Sequence, residues 1–236
     1  MKIFDTGDVR LHYRVDGPED GAPVVFANSL GTDLRLWDPI LPLLPKGLRI
    51  IRFDKRGHGL SSCPPAPYAM GALIGDTEKL LDHLGVKDCV FVGLSIGGMI
   101  AQGLATKRLD LIRAMVLSNT AAKIGTKDMW ADRVRAVQDS GIEPMADTIM
   151  ERYAGCSAAI SGTDFYTPTA ALRLPVLGIA GSEDGSTPPD LVRETIELIP
   201  GSKFKIIRKA GHLPCVEHPQ EYAALLTEFL QGVGHV

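Results

Sequence analysis

Runs of Val, Ile and Phe recur along the chain at 24–27, 49–53, 89–92, 114–117, 176–180 and 203–207. Most are near-continuously apolar, the pattern of strands buried on both faces of a parallel sheet. The run at 10–15 differs, because apolar and polar residues alternate there as in a half-exposed antiparallel strand. Helical patterns lie between these runs. Over 70–84, Leu73, Thr77, Leu80, Leu81 and Leu84 share one face, and Gly85 follows as a stop signal. The stretches 96–107, 189–199 and 219–230 are similar, and the last two open with a proline that a first helical turn tolerates. Alternating strands and helices predict an α/β fold with a mostly parallel sheet. A length of 236 residues suits one such domain.

One segment breaks the alternation. Between 119 and 174 no convincing strand occurs, only helical stretches at 128–138 and 144–153. It reads as a helical insertion into a core formed by 1–118 and 175–236, placed as a lid over a site at the strand ends. The plainer alternative is a long helical connection.

Composition narrows the classes of partner. The formal charge is −3 and no Lys/Arg run stands out, which gives no support to nucleic acid or an anionic membrane. The N-terminus carries scattered charges without an apolar signal core, and no stretch approaches the roughly 18 apolar residues of a spanning helix. Cys63, Cys89, Cys156 and Cys215 are far apart and form no C-x-x-C pair. They read as inert thiols of a reducing cytoplasm, and neither a zinc site nor another metal is expected from them.

The sharpest local signal is Gly93-Leu94-Ser95-Ile96-Gly97, between the β-run ending at 92 and the helical run from 96. Such a strand–turn–helix holds a serine in a strained conformation with Oγ exposed, in a turn too tight for side chains at Gly93 and Gly97. It also aims the backbone N–H of Ile96 at developing negative charge. Ser95 is therefore the candidate nucleophile, and it needs a base.

Six histidines are available. His12, His83 and His235 suit surface or structural roles, and His218 precedes the Pro219 helix. His58, in Asp54-Lys55-Arg56-Gly57-His58-Gly59, competes with His212, in the loop after the last expected strand. That loop lies at the carboxyl edge of the sheet, where open α/β folds bind ligands, so His212 is favoured. A carboxylate must orient the imidazole, and Glu183 and Asp184 follow the run at 176–180. Asp184, nearer Gly185, is preferred, and the order Ser, Asp, His is then that of one fold in particular. The second oxyanion donor is expected from the loop Asn28-Ser29-Leu30-Gly31-Thr32-Asp33, at the N–H of Leu30, unless that loop is a plain turn.

Those loops, with Ser118-Asn119-Thr120-Ala121-Ala122-Lys123-Ile124-Gly125, resemble the 3-oxoadipate enol-lactonases. These are α/β-hydrolases of the β-ketoadipate pathway of aromatic degradation. The resemblance spans nearly the whole chain. It implies an α/β-hydrolase fold with a short helical lid, and hydrolysis of a carboxylate-bearing enol-lactone without cofactor or metal. Ser95 would attack the lactone carbonyl, His212 would relay the proton, and water would release 3-oxoadipate. Ser29 would contact the substrate, and Arg133 near Trp130 would meet its carboxylate. The plain reading of that last pair is a solvated helix face with Trp130 packed on the core.

The lid looks shorter than the family's, as if two segments had been joined near Arg152 and Tyr153. A shortened lid predicts weakened lactone turnover with simple ester hydrolysis retained. Apolar surface left bare would favour a homo-oligomer. The rival readings are a carboxylesterase, a hydrolase of carbon–carbon bonds, and a non-catalytic receptor for a small ligand. An epoxide hydrolase or dehalogenase is disfavoured, since each needs a carboxylate where this chain has Ser95.

Overall fold

The computed structural model describes residues 1–139 and 145–236, without the side chains at 133, 134, 136–139 and 145–152. Eight strands form one sheet in the order β1-β2-β4-β3-β5-β6-β7-β8. They are β1 (Lys2–Asp5), β2 (Arg10–Asp16), β3 (Ala22–Ala27), β4 (Leu48–Phe53), β5 (Cys89–Leu94), β6 (Ile112–Ser118), β7 (Val176–Gly181) and β8 (Lys203–Ile207). From β4 through β8 all neighbours run parallel, whereas β1 and β2 are antiparallel at one edge. This is the mostly parallel α/β sheet that the sequence predicts.

Burial explains why the parallel strands read as unbroken apolar runs. Along β3, Val25 and Ala27 join one core layer with Ile51, Phe91, Met115 and Leu117. Val24 and Phe26 join the opposite layer with Trp37, Val90, Val92, Val116 and Tyr222. Both faces are dry, so neither can carry polar residues at alternate positions. The edge strand β1 escapes sequence reading because it is four residues long and three of them are exposed.

Helices α1 (Met70–His83) and α2 (Ile96–Lys107) cover the first layer, while α8 (Pro219–Gly232) covers the second. In α1, Leu73, Thr77, Leu80 and Leu81 are buried, and Gly85 beyond its end has φ 62°, as a stop signal requires. Two more helices, α6 (Pro189–Glu197) and the short α7 (Pro214–Glu217), follow β7 and β8. Between β6 and β7 lie α3 (Lys127–Asp139), α4 (Met145–Ser161) and α5 (Tyr166–Ala170), with no strand among the described residues there.

The expected end of α4 at 153 is corrected to Ser161, and the supposed junction near Tyr153 lies inside the helix. Gly155 does not stop it, because this glycine serves packing. A Cβ there would stand 2.7 Å from the Tyr68 ring, so its absence lets α4 settle onto the core. The expected start at 144 lies outside the described residues. Among the described residues no helix is long and apolar enough to cross a membrane.

Candidate active site

Ser95 stands between β5 and α2 with φ 56° and ψ −121°, a left-handed conformation unusual for a residue with a side chain. The flanking glycines make the turn possible. A Cβ on Gly93 would meet the Gly97 carbonyl oxygen at 2.3 Å, and one on Gly97 would meet the Ala27 carbonyl oxygen at 2.1 Å. The turn is anchored on β6 as well, since Ser95 N–H donates to the Ser118 carbonyl at 3.0 Å. Ile96 opens α2, so its N–H is one of the first-turn donors that the helix itself does not use.

Asp184 follows β7 and is only 4 % exposed. Its Oδ2 accepts from His212 Nδ1 at 2.8 Å, Asn119 Nδ2 at 2.7 Å and Thr187 Oγ1 at 2.6 Å. Its Oδ1 accepts from the backbone N–H of Ser186 at 2.8 Å and of Thr187 at 3.2 Å. Burial alone would raise the Asp184 pKa, but hydrogen bonds from His212, Asn119 and Thr187 hold it well below the usual carboxylate range. A charged carboxylate on Nδ1 fixes the imidazole as the Nδ1–H tautomer, which leaves Nε2 as a hydrogen-bond acceptor. The hydroxyl that meets Nε2 is Ser29 Oγ at 3.4 Å, and both residues line the cavity described below.

The alternatives separate cleanly. Glu183 is exposed, and only its backbone N–H is engaged, on Ala210. The Nε2 of His58 accepts the Gly31 N–H at 3.0 Å, and its Nδ1 lies 3.2 Å from the Arg56 carbonyl. His58 thus braces the 28–34 loop. His12 is buried on Asp54 at 2.8 Å, His235 donates to the Pro23 carbonyl at 3.0 Å, and His218 to the Lys209 carbonyl at 3.3 Å. His83 stacks on Phe4.

A cavity of about 140 Å³ brings the chemistry together. Ser95, His212, Ser29, Leu30, Ser186 and Thr187 line its floor. Ile124, Trp130, Tyr153 and Ile160 close it from the helical segment. Trp130 is buried and donates Nε1–H to the Ile124 carbonyl at 2.7 Å, so the indole packs as a fixed wall. Arg133 belongs to α3, but its side chain lies outside the described residues. Among the described residues, no Lys or Arg lines this cavity.

Asn119 and Thr187 complete the site without carrying a motif of their own. Their signals were present: an Asn just past the carboxyl end of a parallel strand, and an Asp-Gly-Ser-Thr run that builds an Asx turn. Asn119 takes φ 45° to reach Asp184, a conformation asparagine tolerates.

A larger cavity, about 750 Å³, opens beside β2. Its His12–Asp54 pair is committed to structure, because Asp54 also accepts the N–H of Leu34 at 2.7 Å and of Leu60 at 3.0 Å. Among the described residues no Ser, Thr or Cys lines it, so size does not make it the reactive site. No group of three His, Cys, Asp or Glu suited to a metal occurs among the described residues.

A strained serine, a histidine held by a buried carboxylate and unspent backbone donors around one small cavity suit nucleophilic acyl transfer. Comparison with known proteins agrees with that chemistry. Residues 22–140 match the family model of the alpha/beta hydrolase fold. The chain is 32 % identical to 3-oxoadipate enol-lactonase 2 of Acinetobacter baylyi, over 91 % of each protein. It superposes on the enol-lactonase of Burkholderia xenovorans with TM-score 0.91 and 30 % identity, covering 98 % of this chain and all of that one. A thermophilic esterase from Thermogutta terrifontis superposes with TM-score 0.85 at 26 % identity, covering 97 % of this chain and 95 % of that one. By sequence, architecture and the build of its strand-end loops, the chain belongs to the alpha/beta hydrolase fold family.

Proposed function

We propose that this hydrolase opens the ring of 3-oxoadipate enol-lactone to give 3-oxoadipate, through an acyl-enzyme on Ser95. The observation that carries the reading is the Asp184–His212 pair at 2.8 Å, whose histidine lines the same cavity as Ser95. Ser95 Oγ attacks the lactone carbonyl while His212 Nε2 takes its proton. Negative charge gathers on the carbonyl oxygen, which the N–H groups of Leu30 and Ile96 receive. Collapse breaks the ring C–O bond, and His212 returns its proton to the departing enol oxygen. The enol then becomes a ketone, which draws the reaction forward. His212 next deprotonates a water that attacks the acyl-enzyme, expelling Ser95 and releasing the product. The segment 119–174 acts as the lid, with Ser29 and Trp130 against the substrate and Arg133 as partner of its carboxylate.

A second reading, a hydrolase of small carboxylic esters, is favoured by one observation. The cavity is small, and no described lining residue carries a cation for a substrate acid. Parallel kinetics on 3-oxoadipate enol-lactone and p-nitrophenyl acetate decide between them. The lactonase reading expects the higher kcat/KM on the lactone, with both activities lost in Ser95→Ala. Ester cleavage without lactone cleavage would select the second reading. Turnover of neither would leave a binding protein on a hydrolase scaffold.

A further inference from the structure

A buried cation beneath the 28–34 loop takes no part in the chemistry described so far. Lys55 is 2 % exposed, and its Nζ donates to the carbonyl oxygens of Ser29 at 2.6 Å and Asn28 at 3.3 Å. Among the described residues no carboxylate stands within ion-pair reach of it. Burial lowers its pKa to about 8, with Cys156, Asp54 and Asp33 opposing that shift. The facing Cys156 thiol is itself pushed up to about 11 by burial, so it is neutral where Lys55 is charged. At neutral pH a full ammonium charge is therefore spent on backbone carbonyls. Burying it costs free energy that an apolar side chain of the same length would not incur.

The position of those carbonyls gives the charge a use. Ser29 C=O and Leu30 N–H belong to one peptide group. In a trans peptide the two point in opposite directions, so seating the carbonyl on Lys55, beside its contacts to Thr32, helps to fix the aim of the N–H. An ammonium on the oxygen also draws electron density through the amide and makes its N–H a stronger donor. The Ser95–Ile96 peptide has a parallel arrangement. Thr120 Oγ1–H donates to the Ser95 carbonyl at 2.6 Å, and the other end of that peptide is Ile96 N–H. Both peptides that would receive an oxyanion thus have their carbonyls held by side-chain donors. On Ser95 the donor is Thr120. On Ser29, Thr32 donates its Oγ1–H at 2.9 Å and its backbone N–H at 3.3 Å, together with Lys55, which makes the shortest contact and carries the charge.

We propose that Lys55 is a positioning residue of the oxyanion hole, orienting and polarising the Ser29–Leu30 peptide so that Leu30 N–H stabilises the tetrahedral oxyanion. This inference rests on the serine-hydrolase reading above but on neither choice of substrate. The hexapeptide that carries Lys55 supports it by holding the same loop at two more points, through His58 on Gly31 N–H and Asp54 on Leu34 N–H.

The test is steady-state hydrolysis of p-nitrophenyl acetate by the wild type, Ser95→Ala, Lys55→Met, Lys55→Gln and Lys55→Arg. It is combined with inhibition by phenylboronic acid, which forms a tetrahedral adduct on the serine, and with thermal midpoints. Losing one oxyanion donor outright costs about 100- to 1,000-fold in kcat, so weakening one predicts a loss of about 10- to 100-fold for Lys55→Met. KM should stay within about twofold while phenylboronic acid affinity falls in step with kcat, because the loss is confined to tetrahedral states. Lys55→Arg should restore most of the rate. Lys55→Gln, which keeps a donor but no charge, should fall between, and it carries the test if Lys55→Met does not fold. Unchanged kcat in folded Lys55→Met or Lys55→Gln, with Ser95→Ala inactive, overturns the role of Lys55 alone. So does a fall in kcat without a matching loss of boronic acid affinity. Ester hydrolysis that survives Ser95→Ala overturns the serine-hydrolase reading and Lys55 with it.

Discussion

The floor and the roof of the cavity beside Ser95 are built on different principles. The floor is set by hydrogen bonds that leave little freedom: five reach the two oxygens of Asp184. The 28–34 loop is likewise tied at Ser29, Gly31 and Leu34 by side chains of one hexapeptide. The roof is set mainly by apolar packing, through Ile124, Trp130, Cys156 and Ile160 pressed onto the core. Hydrogen bonds are directional and fail abruptly when a partner is lost, whereas apolar contacts tolerate substitution of similar volume. Under the proposed function, reactivity would belong to the floor and substrate choice to the roof.

The largest expected effect breaks the floor. Asp184→Asn should lower kcat about 1,000- to 10,000-fold on any substrate, because the amide no longer selects the Nδ1–H tautomer of His212. The new side chain would also place an NH₂ group against Asn119 or Thr187. An esterase assay beside a circular dichroism spectrum checks this, and retained activity in a folded variant would break the comparison.

The same carboxylate links the floor to stability. Its folded pKa lies below the unfolded value of 3.8, so the unfolded chain binds more protons as pH falls through that range. The stabilisation is complete above the ordinary carboxylate range and is lost as pH drops toward the depressed folded value. Urea midpoints measured between about pH 5 and pH 2.5 should therefore fall more steeply in the wild type than in Asp184→Asn. Parallel slopes would show that Asp184 contributes no such linkage.

A smaller effect sharpens the comparison from the roof. Arg133→Ala should raise KM for the enol-lactone about tenfold while leaving p-nitrophenyl acetate kinetics within about twofold, since only the lactone carries a carboxylate. Equal changes on both substrates would assign Arg133 to packing of the lid.

Floor and roof also differed in how readable they were. The elbow was open to reading because its glycines answer a backbone requirement that no other residue meets, and their spacing is local. Asp184 and His212 could be placed because each follows a strand, and parallel strands end on one edge. The preference for Asp184 over Glu183 rests on its place before Gly185, while the burial of the one and the exposure of the other are not written in a pair of adjacent carboxylates. The bracing roles of Lys55 and Thr120 depend on contacts across 26 and 25 positions of chain, beyond any local pattern. In the roof, Gly155 follows the stretch at 144–153 as a stop signal would, yet the helix continues and this glycine is what permits close packing against Tyr68. The short α5 and the edge strand β1 bury too little surface to leave a periodic signature.

The central claim is that Ser95 is a nucleophile activated by His212. The most direct measurement is labelling with an alkyl fluorophosphonate, followed by mass spectrometry of the digested protein. The expected result is one adduct, on Ser95, formed rapidly by the wild type and by Arg133→Ala and only very slowly by His212→Ala. A label on another residue, or one of equal rate without His212, would contradict it.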